Sequence, residues 1–373
     1  MHSWAYTPSS TGFCFESLTF NARDCISMKK HQKIVKEEDE KMRAAQMQKY
    51  SKEVQVELND VKIPEFNSRE VLVKVKAAGV NPLDLLILNG SIRMISDYDL
   101  PLTLGNELSG VIEAVGKDVK NFHVGDHIYT RLPVNQIGAF AEYAVVNEDA
   151  ISIMPKNLSF IEAAAVPLTA LTAYQALNDV LNAQPNKKLF IPGGTGGFGA
   201  MAIPIAKSMG LYVITSGSER GRSRTLSIGA DKFINYHEEN YANILSDIDY
   251  VIDTLGAKEI KAELGILKPQ GKLVSLKAVP NYRFAVENNF PVWKKLLFGL
   301  VGARVDSLAR KHKNEYHFLF VQANGSQLQK ITNLVEKENI TPSIDSIYNF
   351  NDINKALIKV STGHSQGKVI VTF

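Results

Sequence analysis

Apolar and polar residues alternate along residues 42–150 in a way that predicts a series of short β-strands. The segments EVQVEL, EVLVKVKAAGV and LSGVIEAVG are rich in β-branched residues, and VGDHIYT and GAFAEYAVV follow after turn residues. A period of two between such turns is typical of half-buried strands. We therefore predict a compact, mainly antiparallel β unit in this part of the chain.

The pattern changes after residue 158. SFIEAAAVPLTALTAYQALNDV has helical spacing, and from KKLFIPG to GKLVSL apolar strands alternate with helical segments. This alternation predicts a parallel sheet with helices on both faces. The end of the chain, from QLQKITNLVEKENI to GKVIVTF, adds helices and closing strands. The fold class is therefore α/β, with a doubly wound parallel sheet and a separate β-rich part.

Two segments do not follow either pattern. Within residues 1–41, MKKHQKIVKEEDEK is almost entirely polar and cannot bury a core, so we predict a disordered N-terminal extension. Residues 281–313 are apolar and basic and follow the last predicted strand of the parallel sheet. They fit a roof over a substrate cleft or a contact between subunits, and membrane binding is the less favoured alternative.

Composition excludes several classes of protein. The net charge of +3 is too small to indicate nucleic-acid binding. Both cysteines, Cys14 and Cys25, lie near the N-terminus, so the body of the chain holds no disulfide framework and no cysteine-rich zinc site. There is no run of about 18 apolar residues and no signal-peptide core, so we expect a cytoplasmic protein without a membrane partner.

The loop GGTGGFG contains the spacing G-x-G-x-x-G at Gly194, Gly196 and Gly199. It follows a predicted strand and opens a predicted helix, which is the context that distinguishes a dinucleotide-binding loop from an ordinary glycine-rich turn. Gly194 would permit the tight turn, Gly196 the approach of a pyrophosphate, and Gly199 close packing of helix on strand. The N–H groups at the start of the helix would bind the phosphates.

The segment that follows favours NADPH over NADH. An NAD site has an acid about 20 residues beyond the loop, and this chain has Ser216 there. Hydroxyl and guanidinium groups attract a 2′-phosphate, which a carboxylate would repel. The candidate phosphate ligands in TSGSERGRSR are Ser216, Ser218, Arg220, Arg222 and Arg224.

The motifs AAGVNPLD, LGNELSGVIEAVG, AAAVPLTALTAYQAL, GGTGGFG and GKVIVTF, in this order, resemble the zinc-independent quinone oxidoreductase branch of the medium-chain dehydrogenase/reductase superfamily. The resemblance covers residues 42–373. It implies a GroES-like catalytic domain formed by residues 42–167 and 314–373, and a Rossmann NADP-binding domain formed by residues 168–313. We also expect a homodimer.

Zinc-dependent members of this superfamily hold a catalytic zinc with cysteine and histidine ligands. The matching positions here are Asn81 and Asn106, and neutral amides are poor zinc ligands. We therefore predict that the protein binds no metal. Without a Lewis acid, the expected reaction is hydride transfer from NADPH to an acceptor that is already electrophilic, such as a quinone or an enone.

The resemblance also implies roles for individual residues. It places Asn81 and Asp84 beside the nicotinamide, Thr172 at the nicotinamide end, Tyr236 at the adenosine or 2′-phosphate, and Lys368 near the cofactor. A plainer interpretation is that Asn81 belongs to a turn and that Asp84 caps a helix. Arg131 is a candidate for polarising a substrate carbonyl; the simpler and favoured interpretation is a surface or ion-paired arginine. The remaining candidate cofactor ligands are Thr195, Gly197, Phe198 and Asp253.

Two functions remain open from the sequence. The favoured one is an NADPH-dependent reductase of quinones or α,β-unsaturated carbonyl compounds. The alternative is a protein that binds NADPH without catalysis, as a redox sensor or a structural protein. No residue stands out as a general acid, so we expect turnover to vary little between about pH 6 and 8.

Overall fold

A computed structural model describes residues 41–373 and contains three β-sheets. The predicted N-terminal extension lies outside the described residues, except for Lys41, which begins the first strand. No helix within residues 41–373 has the length and apolar character needed to cross a membrane.

One sheet is parallel and has six strands, in the order β11-β10-β9-β12-β13-β14. The strands are β9 (Lys188–Ile191), β10 (Tyr212–Gly217), β11 (Lys232–Asn235), β12 (Ile248–Asp253), β13 (Leu267–Ser275) and β14 (Glu315–Phe318). The order reverses at β9, as in dinucleotide-binding sheets. Every residue of β12 is buried, as expected for a parallel strand covered on both faces. The α/β fold class is confirmed.

The other two sheets form the β-rich part. The larger has the order β15-β16-β3-β5-β6-β8, with β7 paired to β3, and the smaller has the order β2-β1-β4. Their strands are β1 (Lys41–Met47), β2 (Glu57–Lys62), β3 (Glu70–Val80), β4 (Leu102–Thr103), β5 (Glu107–Val115), β6 (His127–Arg131), β7 (Tyr143–Asn147), β8 (Ile151–Ile153), β15 (Ile344–Asn349) and β16 (Lys368–Thr372). In the larger sheet β15 pairs parallel with β16 and the other pairs are antiparallel, and in the smaller sheet β1 pairs antiparallel with β4.

Eleven α-helices of the described residues connect these strands. They are α1 (Pro82–Leu88), α2 (Phe160–Ala163), α3 (Pro167–Tyr174), α4 (Gly197–Ser208), α5 (Arg222–Ser227), α6 (Tyr241–Ile244), α7 (Ile260–Ile266), α8 (Tyr282–Glu287), α9 (Val292–Lys311), α10 (Gly325–Lys337) and α11 (Ile353–Ser361). A π-helical segment, Gln175–Val180, continues α3. Residues 281–313, which followed neither of the predicted patterns, thus contain the helices α8 and α9.

The chain leaves the β-rich part after β8 and returns to it at β15. The parallel sheet itself extends past the predicted boundary at residue 313, because β14 pairs with β13 from Lys272–Glu315 to Ser275–Phe318. The return of the chain brings β16 against β3, with Val369 opposite Val80. This pairing places the start of β16 beside the end of β3, where the polar residues of the candidate site lie.

Candidate functional site

The glycine loop joins β9 to α4 and has little room for side chains. Gly193, with a φ of 69°, makes the tight turn that the sequence assigned to Gly194. Gly194 instead lies against the Thr215 side chain, and a Cβ on Gly199 would collide with the Gly194 backbone. Gly199 of α4 therefore packs closely on the backbone of the loop that follows β9, and not on the strand itself as predicted.

Gly196 is different, because the space beside it is open. It is the N-cap of α4, with a φ of −83° and a ψ of −179°. A Cβ at this position would have its nearest neighbour, the Gly193 carbonyl oxygen, 3.7 Å away. The loop thus leaves a cradle at the positive end of a 12-residue helix, and this arrangement fits the pyrophosphate of a dinucleotide.

The other loop residues support this geometry. The Thr195 side chain packs where a Cβ on Gly217 or Gly221 would otherwise lie. Gly197 begins α4, and Phe198 packs against the apolar core that α4 covers. The side chains of Thr195 and Phe198 thus pack against the protein, and the backbone of the loop is left to face a ligand.

The end of β10 carries the predicted phosphate ligands. Ser216 is buried, with its hydroxyl oxygen 3.4 Å from the Gly193 nitrogen. Ser218 is half-buried and precedes a 3₁₀ turn, Glu219–Gly221, while Arg220 is exposed. Within residues 41–373, the Arg220 guanidinium has no ion pair, so it is available to an anionic ligand.

Two arginines near Arg220 are already engaged. Arg222 Nε donates to both carboxylate oxygens of Glu219, at 2.7 and 2.8 Å, and its guanidinium lies 4.8 Å from the centre of the Phe233 ring. Arg224 donates to the Thr195 carbonyl oxygen and thereby fixes the glycine loop. The ion pair of Arg222 also neutralises the one acid of this turn.

Two further predicted ligands are found in different settings. Tyr236 is 57% exposed at the end of β11, where its ring is accessible to an adenosine. Asp253 is fully buried at the end of β12, and its carboxylate accepts hydrogen bonds from the Leu255 and Gly256 nitrogens and from the Ser275 hydroxyl. Both carboxylate oxygens of Asp253 therefore already accept hydrogen bonds, from the turn after β12 and from β13.

Five polar side chains form a buried cluster where β3, α1, β5 and β16 meet. They are Asn81, Asp84, Asn106, Glu107 and Lys368. The Lys368 ammonium donates to Asn81 Oδ1 and to Glu107 Oε1. Asn81 Nδ2 donates to Glu107 Oε1 at 2.8 Å. The Asp84 carboxylate accepts from the Asn81 backbone nitrogen and from Asn106 Nδ2, both at 2.7 Å.

The structure thus brings Asn81 and Asp84 together with Lys368, which the sequence placed near the cofactor. Asp84 caps α1, as the plainer interpretation has it, and in addition holds Asn106. Burial raises the pKa of Asp84 to about 7, and the neighbouring Glu107 charge acts in the same direction, against hydrogen bonds that lower it. A carboxyl that titrates near neutral pH therefore lies in the cluster, which the sequence did not indicate.

Glu107 is the functional residue that sequence reasoning missed. It is fully buried on β5, and its second carboxylate oxygen accepts from the Leu168 nitrogen, at the start of α3, at 2.7 Å. It thus links β5, β16 and α3 through one carboxylate. The available signal was an acid directly before the predicted strand LSGVIEAVG, because a charge that becomes buried beside a strand requires a partner.

The two remaining candidates lie at the edge of this cluster. Thr172 is buried on α3, and its hydroxyl donates to the Leu168 carbonyl oxygen at 2.6 Å. Arg131 is fully buried at the end of β6, where burial lowers its pKa to about 10. Its Nη1 donates to the Leu132 carbonyl oxygen, whereas its Nε and Nη2 have no partner within residues 41–373.

The donor set of the cluster suits hydrogen bonding better than metal binding. Asn81 and Asn106 use their amide groups within the cluster, and the Lys368 ammonium already supplies a positive charge there. In the part of the chain that the structure describes, no three His, Cys, Asp or Glu side chains are grouped so that they could hold a metal ion.

Two protein-family models match this chain. The model described as alcohol dehydrogenase GroES-like domain matches residues 67–156, and the model described as zinc-binding dehydrogenase matches residues 228–371. The first contains β3, α1 and β5, and the second contains the strands from β11 to β16. Together they include the buried polar cluster.

Named relatives agree with these models. The chain is 31% identical over 324 residues to NAD(P)H oxidoreductase RTN4IP1, mitochondrial, of Mus musculus, and the match covers 81% of each chain. It is 29% identical to 2-methylene-furan-3-one reductase of Solanum lycopersicum, over 84% of this chain and 74% of the relative. The solved quinone oxidoreductase of Coxiella burnetii superposes with a TM-score of 0.77 at 29% identity, over 89% of this chain and 99% of that one. The fold, the polar cluster and these relatives show that the chain belongs to the medium-chain dehydrogenase/reductase superfamily, in its quinone oxidoreductase branch.

Proposed function

We propose that this protein is an NADPH-dependent, zinc-free oxidoreductase that transfers hydride to a quinone or to an α,β-unsaturated carbonyl compound. The observation that carries the proposal is the meeting of the glycine loop with the polar cluster. A Cβ on Gly197 would lie 3.3 Å from Cγ and Cδ of Lys368. The residues that would hold the cofactor and those of the cluster are therefore neighbours, and the reductases among the relatives support a nicotinamide cofactor.

The zinc-free chemistry is supported by the charges of the cluster. The Lys368 ammonium contacts Asn81 and Glu107, and a divalent cation beside it would be repelled. The amides of Asn81 and Asn106 are also much weaker zinc ligands than thiolate or imidazole, so coordination by them would not offset that repulsion.

NADPH supplies the hydride when it is bound, and the chain's own residues orient the reactants and stabilise developing charge. Asn81 uses its amide within the cluster, so it acts as a positioning residue for Lys368. An ammonium group has three donors, and within residues 41–373 Asn81 and Glu107 accept two of those of Lys368. The third is suited to stabilise the charge that develops on the acceptor oxygen.

The purified protein is expected to oxidise NADPH in the presence of a quinone or a 2-alkenal, because both acceptors accept hydride without a Lewis acid. Absorbance of NADPH is measured against a panel of both classes, with and without a chelator. Deuterium from C4 of labelled NADPH should appear in the reduced enone and slow the reaction. NADPH binding without oxidation by any acceptor would instead support the redox-sensor alternative, and activity lost on chelation would refute the zinc-free mechanism.

Gly196→Ala is expected to weaken cofactor binding at least about tenfold without loss of stability, because the new methyl would fill the cradle and would make only an ordinary van der Waals contact, at 3.7 Å, with the Gly193 carbonyl oxygen. The N-cap dihedral angles suit alanine, so the fold should tolerate it. Fluorescence titration with NADPH and thermal unfolding measure the two effects. The matched variant Gly199→Ala should lose stability as well, because its methyl collides with Gly194. Wild-type affinity in Gly196→Ala would show that the loop does not hold the dinucleotide.

Arg220→Ala is expected to weaken NADPH binding by about tenfold to a hundredfold and to spare NADH, because Arg220 is the arginine of this turn without an ion pair within residues 41–373. The ratio of the two dissociation constants measures the effect. Arg310→Ala is the control, since it removes an exposed arginine from α9, which packs beside β14 at the opposite edge of the sheet. Equal weakening of both cofactors would contradict the assignment of Arg220 to the 2′-phosphate.

A further inference from the structure

Helix α9 presents large apolar side chains to the solvent. Leu296 and Leu300 are 61% and 77% exposed, and Trp293 is 57% exposed. We call the exposed set the α9 apolar face; it consists of Val292, Trp293, Leu296, Leu297, Leu300 and Val301. These positions recur every three to four residues, so they lie on one side of the helix.

The opposite side of α9 fixes the helix to the protein. Phe298, Gly302 and Ala309 are buried. The Phe298 ring lies 6.0 Å from that of Phe284 on α8 and 5.6 Å from that of Phe290, measured between ring centres. The packing therefore sets the rotation of α9, and the apolar face points outward because of it.

Basic residues flank the α9 apolar face along the helix, at its first turn and beyond Val301. The helix carries five cationic side chains, Lys294, Lys295, Arg304, Arg310 and Lys311. Its one acid, Asp306, accepts a hydrogen bond from Asn281 Nδ2 at 2.8 Å. The Lys294 ammonium also lies 5.5 Å from the centre of the Trp293 ring. A partner that covers this face must therefore match an apolar centre with a cationic border.

We propose that the α9 apolar face binds the surface of a bilayer that contains anionic lipids. A helix with leucine and tryptophan on one side and basic residues around them lies in the interface between headgroups and acyl chains. Anionic headgroups neutralise the cationic border. Packing of α9 on a second copy of itself would bring two cationic borders together, and Asp306, the one acid of the helix, already bonds to Asn281.

This proposal changes one expectation from the sequence and is independent of the proposed reaction. Residues 281–313 fitted a roof over the cleft or a subunit contact, and no membrane partner was expected. The outward direction of Leu296 and Leu300 favours a surface contact instead of a roof. The expected homodimer stays a prediction that does not require this face.

The test is sedimentation of the full-length protein with vesicles of phosphatidylcholine, with and without phosphatidylserine. Wild-type protein should bind the anionic vesicles more strongly, by about fivefold for each basic side chain that reaches the surface, and less at high salt. Leu296→Glu with Leu300→Glu should lower the partition coefficient by on the order of tenfold for each leucine. Both side chains are mostly exposed, so thermal unfolding should be unchanged.

Val124→Glu is the matched control, because it places an acid at an apolar side chain that is 63% exposed outside α9, and it should bind vesicles like the wild type. If the glutamate variant unfolds, Leu296→Ser with Leu300→Ser replaces it. Wild-type protein that stays in the supernatant at low salt, or variants that bind equally well, would overturn the proposal. A wild-type dimer that the leucine substitutions dissociate, without vesicle binding, would overturn it in favour of a second copy.

Discussion

Lys368→Met is expected to lower the free energy of unfolding by about 3–5 kcal/mol, because it removes the cation from a buried ion pair and leaves the charge of the other partner. Glu107 is fully buried and would keep its hydrogen bonds from Asn81 and the Leu168 nitrogen, but it would lose its ion partner. Methionine has similar length and no charge, so it replaces the packing of the lysine stem. Urea denaturation at neutral pH measures the loss, and NADPH oxidation should fall with it.

The double variant Lys368→Met with Glu107→Gln tests the cause, because it removes both charges of the Lys368–Glu107 ion pair. It should recover a large part of the stability that the single variant loses. Lys359→Met is the matched surface control: its ammonium lies 3.2 Å from Asp345, and both side chains are partly exposed to solvent. That pair should contribute at most about 1 kcal/mol. Equal losses in the single and double variants would show that packing, not the buried charge, sets the effect.

The fold could be predicted from the sequence because it depends on local patterns. The apolar run EVLVKVKAAGV matches β3, Glu70–Val80, and the alternation after residue 187 matches the parallel sheet. The glycine loop was recognised because its strand, turn and helix are consecutive in the chain. The strand expected at EVQVEL begins later, at Glu57, although Val54 and Val56 favour a strand locally. Tertiary packing decides such boundaries.

The polar cluster could be predicted only in part. Asn81 and Asp84 belong to one short motif, but Lys368 and Glu107 are 261 positions apart in the chain and meet because β16 pairs with β3. Nothing local to GKVIV identifies that partner. Chain position also did not separate Arg220 from Arg222, because the ion pair of Arg222 with Glu219 depends on side-chain direction within one turn. Likewise, the composition of residues 281–313 did not reveal which side of α9 faces the solvent.

Glu263→Gln is expected to raise the free energy of unfolding at pH 7 by about 3 kcal/mol. Glu263 lies on α7 and is fully buried, and neither carboxyl oxygen has a hydrogen-bond partner within residues 41–373. Burial raises its pKa from 4.5 to about 9, and the charges of Asp253 and Glu259 act in the same direction.

The direction of the pH dependence follows from whether the folded or the unfolded chain holds the Glu263 proton. The folded chain keeps the Glu263 proton up to about pH 9, whereas the unfolded chain releases it above about pH 4.5. Unfolding therefore becomes more favourable as the pH rises through this window.

Glutamine imitates the protonated carboxyl and does not titrate. The free energy of unfolding of the Glu263→Gln variant should therefore equal that of the wild type at low pH and exceed it by a growing amount as the pH rises. Urea denaturation across the window measures the difference, with Glu287→Gln, at an exposed position, as the control. A difference that does not change with pH would mean that Glu263 is ionised in the folded protein and that some group near it supplies the missing positive charge.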